Sequence, residues 1–141
     1  MVLHWCLLLL LCPIVFSQPN NLCGNAVSFT SVPFTYSGST AGSSKESSCT
    51  SHSAGDVWFR YNPSASVQAL VDLCSVDYDS YVYIISGTSC SSYSCLASND
   101  DGCGFASGSL LDYTFLVGRS ILLSLADLVV ILARILSVLR T

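Results

Sequence analysis

Short apolar runs, each ended by turn-forming residues, dominate the middle of the chain. Residues 57–61 are rich in strand formers and stop at Asn62 and Pro63, and residues 67–73 form the next run. Residues 81–85 carry large side chains on both faces, as a central strand of a sandwich does, and residues 110–117 form another strand. No helical periodicity separates these runs. The pattern predicts an all-β, disulfide-bonded β-sandwich.

The N-terminus predicts export. A nearly pure apolar run over residues 6–16 is followed by the small residue Ser17, which is typical of a secretory signal peptide spanning residues 1–17. A signal anchor is the alternative, but the run is shorter than the roughly 20 apolar residues that span a bilayer. We therefore expect a secreted protein.

Composition narrows the function classes. Only 10% of residues are charged, the formal net charge is −4, and 51% of residues are apolar. Five Lys and Arg residues provide no basic stripe, so we expect no nucleic-acid binding. The apolar content is sufficient for a packed core, while the Ser-rich residues 37–53 are expected to form a long exposed loop.

Cysteine content agrees with export. Without residues 1–17, six of the eight cysteines remain, an even number that indicates a disulfide framework with 15 possible pairings. Zinc binding is the competing interpretation. It is disfavoured because no CxxC pair occurs and His52 is the single histidine of this part.

Three motifs occur in a fixed order: "DVWFRYNPS" at 56–64, "VDLCSVDYDSYVYIISGTSC" at 71–90 and "CLASNDDGCG" at 95–104. Together they resemble the secreted jelly-roll modules of the bacterial pre-peptidase C-terminal type and their protist and algal relatives. The resemblance covers about residues 22–118 and places a sandwich domain over residues 18–118. It implies a module that accompanies secreted enzymes or adhesins without being the catalyst. Some relatives bind calcium or extracellular polymers.

Residues 86–89 are predicted to turn the chain, within a hairpin over residues 86–95. Three disulfides are favoured: one closes this hairpin, one links a strand end to the "NDDGCG" turn, and one ties the opening segment across the Ser-rich loop. Each is expected to stabilise the fold by roughly 2–4 kcal/mol. The expected pairs are Cys90–Cys95, Cys74–Cys103 and Cys23–Cys49.

An acidic cluster is the candidate metal site. If Cys74 pairs with Cys103, two acidic segments lie side by side and offer the oxygen ligands that calcium prefers. The alternative is a structural turn, in which Asn and Asp side chains cap local backbone N–H groups. The candidate ligands are Asp77, Asp79, Asn99, Asp100 and Asp101.

Catalysis is not expected. A glycosidase needs a suitably spaced carboxylate pair, and the chain has no Glu beyond Glu46. A serine triad needs a histidine base, and His52 lies in the Ser-rich loop of a chain without a G-x-S-x-G elbow. Aromatic residues near the hairpin could stack on sugars, although alternating aromatics mostly pack a core. They are Tyr78, Tyr81, Tyr83 and Tyr93, and Trp58 is assigned to the core.

Residues 119–141 form a Leu-rich segment without glycine or proline after Gly118, and three interpretations are open. Residues 120–139 are long enough for a transmembrane helix, although Asp127 and Arg134 would each cost about 2.5–3.5 kcal/mol near its centre. A docked or interfacial helix would place these two residues on one face. A reading-frame error in the gene model would leave the sandwich incomplete at its C-terminus.

These observations predict a secreted or cell-surface, non-catalytic binding or accessory module for an extracellular polymer or protein. Calcium is the one cofactor considered. The alternative is a surface protein anchored in the membrane through residues 120–139.

Overall fold

A computed structural model describes residues 18–49, 53–76, 78–104, 108–126 and 131–137. Within these ranges the chain forms a 3-10 turn at Cys23–Asn25 and nine β-strands. The strands are β1 (Val27–Phe29), β2 (Phe34–Gly38), β3 (Asp56–Tyr61), β4 (Val67–Asp72), β5 (Tyr81–Ser89), β6 (Ser92–Asn99), β7 (Leu110–Phe115), β8 (Ile121–Ala126) and β9 (Ile131–Ser137).

The strands form two sheets. Sheet A has the order β1-β3-β8-β5-β6, and sheet B has the order β2-β9-β4-β7. Neighbouring strands are antiparallel except for β1 and β3. The predicted all-β, disulfide-bonded fold is confirmed, and the runs at 57–61, 67–73, 81–85 and 110–117 correspond to β3, β4, β5 and β7.

The helical interpretation of residues 119–141 is wrong, because residues 121–126 and 131–137 are strands. β8 lies in the middle of sheet A between β3 and β5, and β9 lies between β2 and β4. Every residue of β8 is buried. A strand covered on both faces is apolar throughout, so it lacks the alternation that identifies a half-buried strand. The sandwich therefore extends past residue 118.

No described residue belongs to a helix that is long and apolar enough to cross a membrane. The predicted signal peptide, His52 and Asp127 lie outside the described residues.

The larger apolar cluster lies between the sheets. Its aromatic centre is a stack in which the ring centroid of Phe29 lies 4.1 Å from Phe34 and 4.5 Å from Tyr61. Alternate residues of the central strands contribute to it, including Phe59 of β3 and Leu123 of β8.

Sheet A also buries its outer face. Trp58, Tyr83, Ile85 and Leu122 form a second cluster with Cys23, and the predicted core position of Trp58 is confirmed. Residues 18–26 and 39–49 cover this cluster, and we call them the covering layer. The covering layer includes much of the Ser-rich loop. The Ser-rich loop, which is predicted to be exposed, is exposed only in part, because Thr40 and Ser47 are buried.

Of the three favoured disulfides, Cys74–Cys103 is present. The expected pairs Cys23–Cys49 and Cys90–Cys95 are wrong, because Cys23 pairs with Cys90 and Cys49 with Cys95. Cys90 lies at the hairpin tip, whereas Cys95 faces Ile85 within β6, so the hairpin does not bring the two together. Instead, both join the β5–β6 hairpin to the covering layer. That layer has few apolar side chains, and the two covalent links fix it over Trp58.

Candidate functional site

Four of the five residues predicted to bind calcium, Asp79, Asn99, Asp100 and Asp101, lie at one end of sheet A. Val82 of β5 pairs with Asn99 of β6, and the Cys74–Cys103 disulfide joins the adjoining segments. The side chains of Asp79, Asp100 and Asp101 are exposed, and Asp77 lies outside the described residues.

Asn99 has the hydrogen bonds of a structural turn. Its Oδ1 accepts from the backbone N–H of Asp100 at 3.0 Å and of Asp101 at 3.4 Å. Its Nδ2 donates to the carbonyl of Leu110 at 2.8 Å. Both ends of the amide therefore have protein partners, as the turn interpretation requires.

Tyr81 lies between the two acidic segments. Its hydroxyl donates to Asp79 Oδ2 at 3.2 Å. The pKa of Tyr81 is raised, chiefly by the negative charge of Asp79, with smaller effects from desolvation, from the hydrogen bond to Asp79 and from the Asp100 charge. The negative charges of Asp79 and Asp100 therefore both act on the Tyr81 hydroxyl.

One group of three potential metal donors occurs among the described residues, formed by Asp72, Cys74 and Cys103 within 4.8 Å of one another. Both cysteines belong to the disulfide, and Asp72 Oδ1 accepts from the backbone N–H of Cys74 at 2.8 Å. This group fits a structural role. The calcium hypothesis for the neighbouring acidic residues stays a prediction.

A polar cleft lies on the outer face of sheet A. It measures about 220 Å³ and is lined by Glu46, Trp58 and Tyr93 together with the Cys23–Cys90 region. The Glu46 carboxylate accepts from the backbone N–H of Cys23, and the Tyr93 hydroxyl accepts from the backbone N–H of Ser48 at 2.9 Å. The polar groups of this cleft therefore hold the covering layer in place.

The tyrosines near the hairpin mostly pack, as the alternative to sugar stacking predicts. Tyr83 is buried in the outer cluster, and Tyr81 and Tyr93 pack against that cluster. The Tyr93 ring lies 6.3 Å from that of Trp58. Tyr78 is half-buried.

A second depression, which we call the end groove, lies where the end of β5, strand β6 and the β7–β8 turn meet. It has a volume of about 320 Å³, within the range of ligand pockets. Its apolar lining comes from Leu96, Tyr113, Leu116 and Ile121, and its polar lining from hydroxyl groups and Arg119. The hydroxyl groups belong to Ser86, Thr88, Thr114 and Ser120.

Two irregularities of sheet A shape this groove. Ile84 pairs with Ala97 and Ile85 with Cys95, so Leu96 is an extra residue in β6. Further along, two residues of β5, Gly87 and Thr88, face a single residue of β6. Gly87 has φ +144°, and a Cβ there would lie 2.9 Å from the carbonyl oxygen of Ser92. β-Bulges redirect side chains and are enriched at functional sites.

The β7–β8 turn forms the other wall. Arg119 N–H donates to the carbonyl of Leu116 at 3.2 Å, and Gly118 has φ +76°, as a type II turn requires at this position. The turn exposes Leu116, Val117 and Arg119. Among the described residues, no carboxylate forms an ion pair with the Arg119 guanidinium.

No pattern in the sequence predicts this groove. Residues 86–89 are predicted to turn the chain, whereas in the structure they continue β5 through a bulge and the hairpin turns at Cys90 and Ser91. Gly87 is the one local sign of the irregularity. Leu96 and Arg119 carry no sign of their own, because the register between strands determines where they meet.

Comparison of the chain with protein-family models, with curated proteins and with solved structures gave no match.

Proposed function

We propose that this protein is a secreted or cell-surface, non-catalytic binding module, and that the end groove is the surface with which it holds an extracellular protein or polymer. The observation that carries the proposal is the convergence of two β-bulges on one groove with exposed apolar side chains. Bulges interrupt the backbone pairing of a sheet and are kept where they re-aim a side chain.

The distribution of exposed apolar groups supports this site. Among residues 18–49, 53–76, 78–104 and 108–126, four large apolar side chains are exposed. Leu96 (44% exposed) and Leu116 (47%) line the groove, while Val117 (54%) lies in the adjoining turn. Clusters of exposed apolar side chains are typical of interaction sites. The fourth residue, Leu22, belongs to the covering layer and serves as a matched control.

Two carboxylates outside the groove have structural hydrogen-bond partners, which supports a module without catalysis. Asp56 is buried and accepts hydrogen bonds from Ser47 and Trp58, while Glu46 accepts from the covering layer. The resemblance to accessory jelly-roll modules agrees with this proposal, and three disulfides in a small all-β domain fit an extracellular location.

Arrays of immobilised peptides and of extracellular oligosaccharides test the proposal. We expect the domain to bind members of at least one array and to leave them uncut. Leu96→Ser combined with Leu116→Ser should weaken that binding about tenfold or more, because it removes two apolar contacts.

Leu22→Ser changes a side chain of similar exposure in the covering layer, and should bind as the wild type does. Equal binding by the groove variant and the wild type would show that the binding site lies outside the end groove. Absence of binding on both arrays would overturn the proposed function.

A further inference from the structure

We infer that the end groove binds an extended peptide segment of a partner protein, one that carries apolar side chains and an acidic group. This inference rests on the proposed function and specifies the ligand of the same site.

Two free strand edges meet at the groove. β6 is an edge strand of sheet A, β7 is an edge strand of sheet B, and no described strand pairs with the outer edge of either. Leu96 of β6 and Tyr113 of β7 both line the groove. An unpaired edge offers backbone N–H and C=O groups to an added strand, which is a recurring mode of peptide recognition.

The β6 edge is protected neither by charge nor by proline, and its bulge at Leu96 and the covering layer at Cys95 interrupt only part of it. Its sequence, Ser92 to Asn99, contains neither a charged residue nor a proline, and six of its eight residues are uncharged polar or small. Natural sheets commonly block edges of this length with lysine, proline or a covering element. The Cys49–Cys95 disulfide places the covering layer against one part of β6, and Leu96 next to it stays 44% exposed.

The side chains around the groove suit alternate residues of a strand. Leu96 and Leu116 provide exposed apolar contacts on opposite walls, and Ile121 is buried at the base. An added strand would direct every second side chain towards this apolar lining. Thr88 and Ser120 line both the groove and an adjoining depression, and their hydroxyl groups can bind polar groups of the peptide.

Arg119 indicates an acidic group on the peptide. It is an exposed cation on a chain of formal net charge −4, and it lines both the groove and an adjoining depression of about 220 Å³ that reaches Asn62 and Pro63. A guanidinium binds a carboxylate through two parallel hydrogen bonds, which provides direction as well as attraction.

An acidic polysaccharide is the less favoured ligand. Sugars are commonly held against an exposed aromatic face, and the aromatic ring of the groove, Tyr113, is half-buried and packs edge-to-face on Phe115 at 5.0 Å. The exposed lining is aliphatic instead. The experiment nevertheless includes this ligand.

The test uses the oxidised domain, labelled with 15N, and a small set of capped heptapeptides. Each peptide alternates threonine with apolar residues and has glutamate at its centre; a matched set has glutamine there. We expect the glutamate peptides to shift the amide signals of Leu96, Leu116 and Arg119. They should bind about threefold to fivefold more tightly than the glutamine peptides, as for a partly exposed ion pair.

Charge reversal provides the control. Arg119→Glu should abolish the preference for glutamate, whereas Lys45→Glu, which changes the net charge equally but lies in the covering layer, should retain it. The same preference in both variants would show that general charge attracts the peptides and would overturn the inference.

Two further measurements separate the inference from the proposed function. If oligogalacturonate shifts the groove signals and the peptides do not, the ligand class is wrong but the binding function stands. If the β6 signals of the free domain shift with protein concentration, the groove accepts a second copy and the inference is overturned. If none of these additions or conditions moves the groove signals, the inference fails, and the two arrays then decide whether the proposed function stands.

Discussion

Asp56 is a carboxylate without solvent exposure, and its hydrogen-bond donors come from three parts of the fold. It accepts from the backbone N–H of Ser47 at 2.8 Å, from Trp58 Nε1 at 2.9 Å and from Ser124 Oγ at 3.3 Å, with a further contact from the backbone N–H of Glu46 at 3.2 Å. Desolvation raises the pKa of Asp56, and the hydrogen bonds lower it in part. This one residue connects the covering layer, β3 and β8.

Replacing Asp56 with alanine should lower the free energy of unfolding by about 2–4 kcal/mol, because buried donors on Ser47 and Trp58 lose their acceptor. The variant should also change how the free energy of unfolding depends on pH. Since the folded-state pKa lies above the ordinary value of 3.8, the native state binds the proton more tightly, so Asp56 makes stability fall as pH rises through the interval above 3.8.

Urea unfolding of the wild type and of Asp56→Ala at several pH values measures both effects. The exposed Asp112, which accepts from Gln68 on the neighbouring strand, provides the control. Asp112→Ala should change stability by less than about 1 kcal/mol. A loss as small in Asp56→Ala would mean that water replaces the carboxylate at little cost.

At the scale of elements, the outer face of sheet A depends on covalent attachment. The covering layer is rich in serine and threonine, and two disulfides connect it to the β5–β6 hairpin across sequence separations of 67 and 46 residues. The third, with a separation of 29, joins the segment after β4 to the acidic turn. The first two hold a polar segment that hydrophobic burial alone would retain poorly.

Replacing Cys23 and Cys90 together with serine should reduce stability by roughly 2–4 kcal/mol. It should also make Trp58 accessible to acrylamide, since the covering layer above that ring would loosen. In a chain that starts at residue 18, Trp58 is the single tryptophan and reports on this face alone. Fluorescence quenching measures the effect.

The matched variant replaces Cys74 and Cys103, whose disulfide lies away from Trp58. It should lose stability but keep Trp58 shielded. Increased quenching in both variants to the same degree would indicate general unfolding and contradict a local role for the Cys23–Cys90 link. Non-reducing peptide mapping of the wild type checks the pairing itself.

Some strands of the fold can be predicted from the sequence and others cannot. Alternation and turn residues predict β3, β4, β5 and β7, because these runs end at recognisable breakers such as Pro63. The helical interpretation of β8 is wrong, since burial on both faces removes the alternation that identifies a strand. The disulfides of Cys23 and Cys49 could not be paired, because their partners depend on how the covering layer folds over sheet A. The end groove depends on the pairing register between strands, which a local sequence pattern does not determine.

At the scale of the whole molecule, calcium would act by binding the native state and raising the stability of the entire domain. Asn99 already has protein partners on both ends of its amide, and the structural-turn interpretation predicts the same thermal midpoint in excess calcium and in chelator. Differential scanning fluorimetry measures this. A midpoint that rises with calcium, and no longer does so in Asp79→Asn combined with Asp100→Asn, would establish the predicted metal site instead.

The central positions of β8 and β9 determine when this fold can form. In the described pairing, β3 and β5 meet only through β8, and β2 and β4 only through β9. Seven strands precede both connecting strands along the chain, and of these only the β5–β6 hairpin pairs neighbouring strands of sheet A locally. Long-range pairing slows folding and leaves apolar strands unprotected meanwhile. A chaperone would therefore have to shield the emerging protein until its synthesis has passed β9.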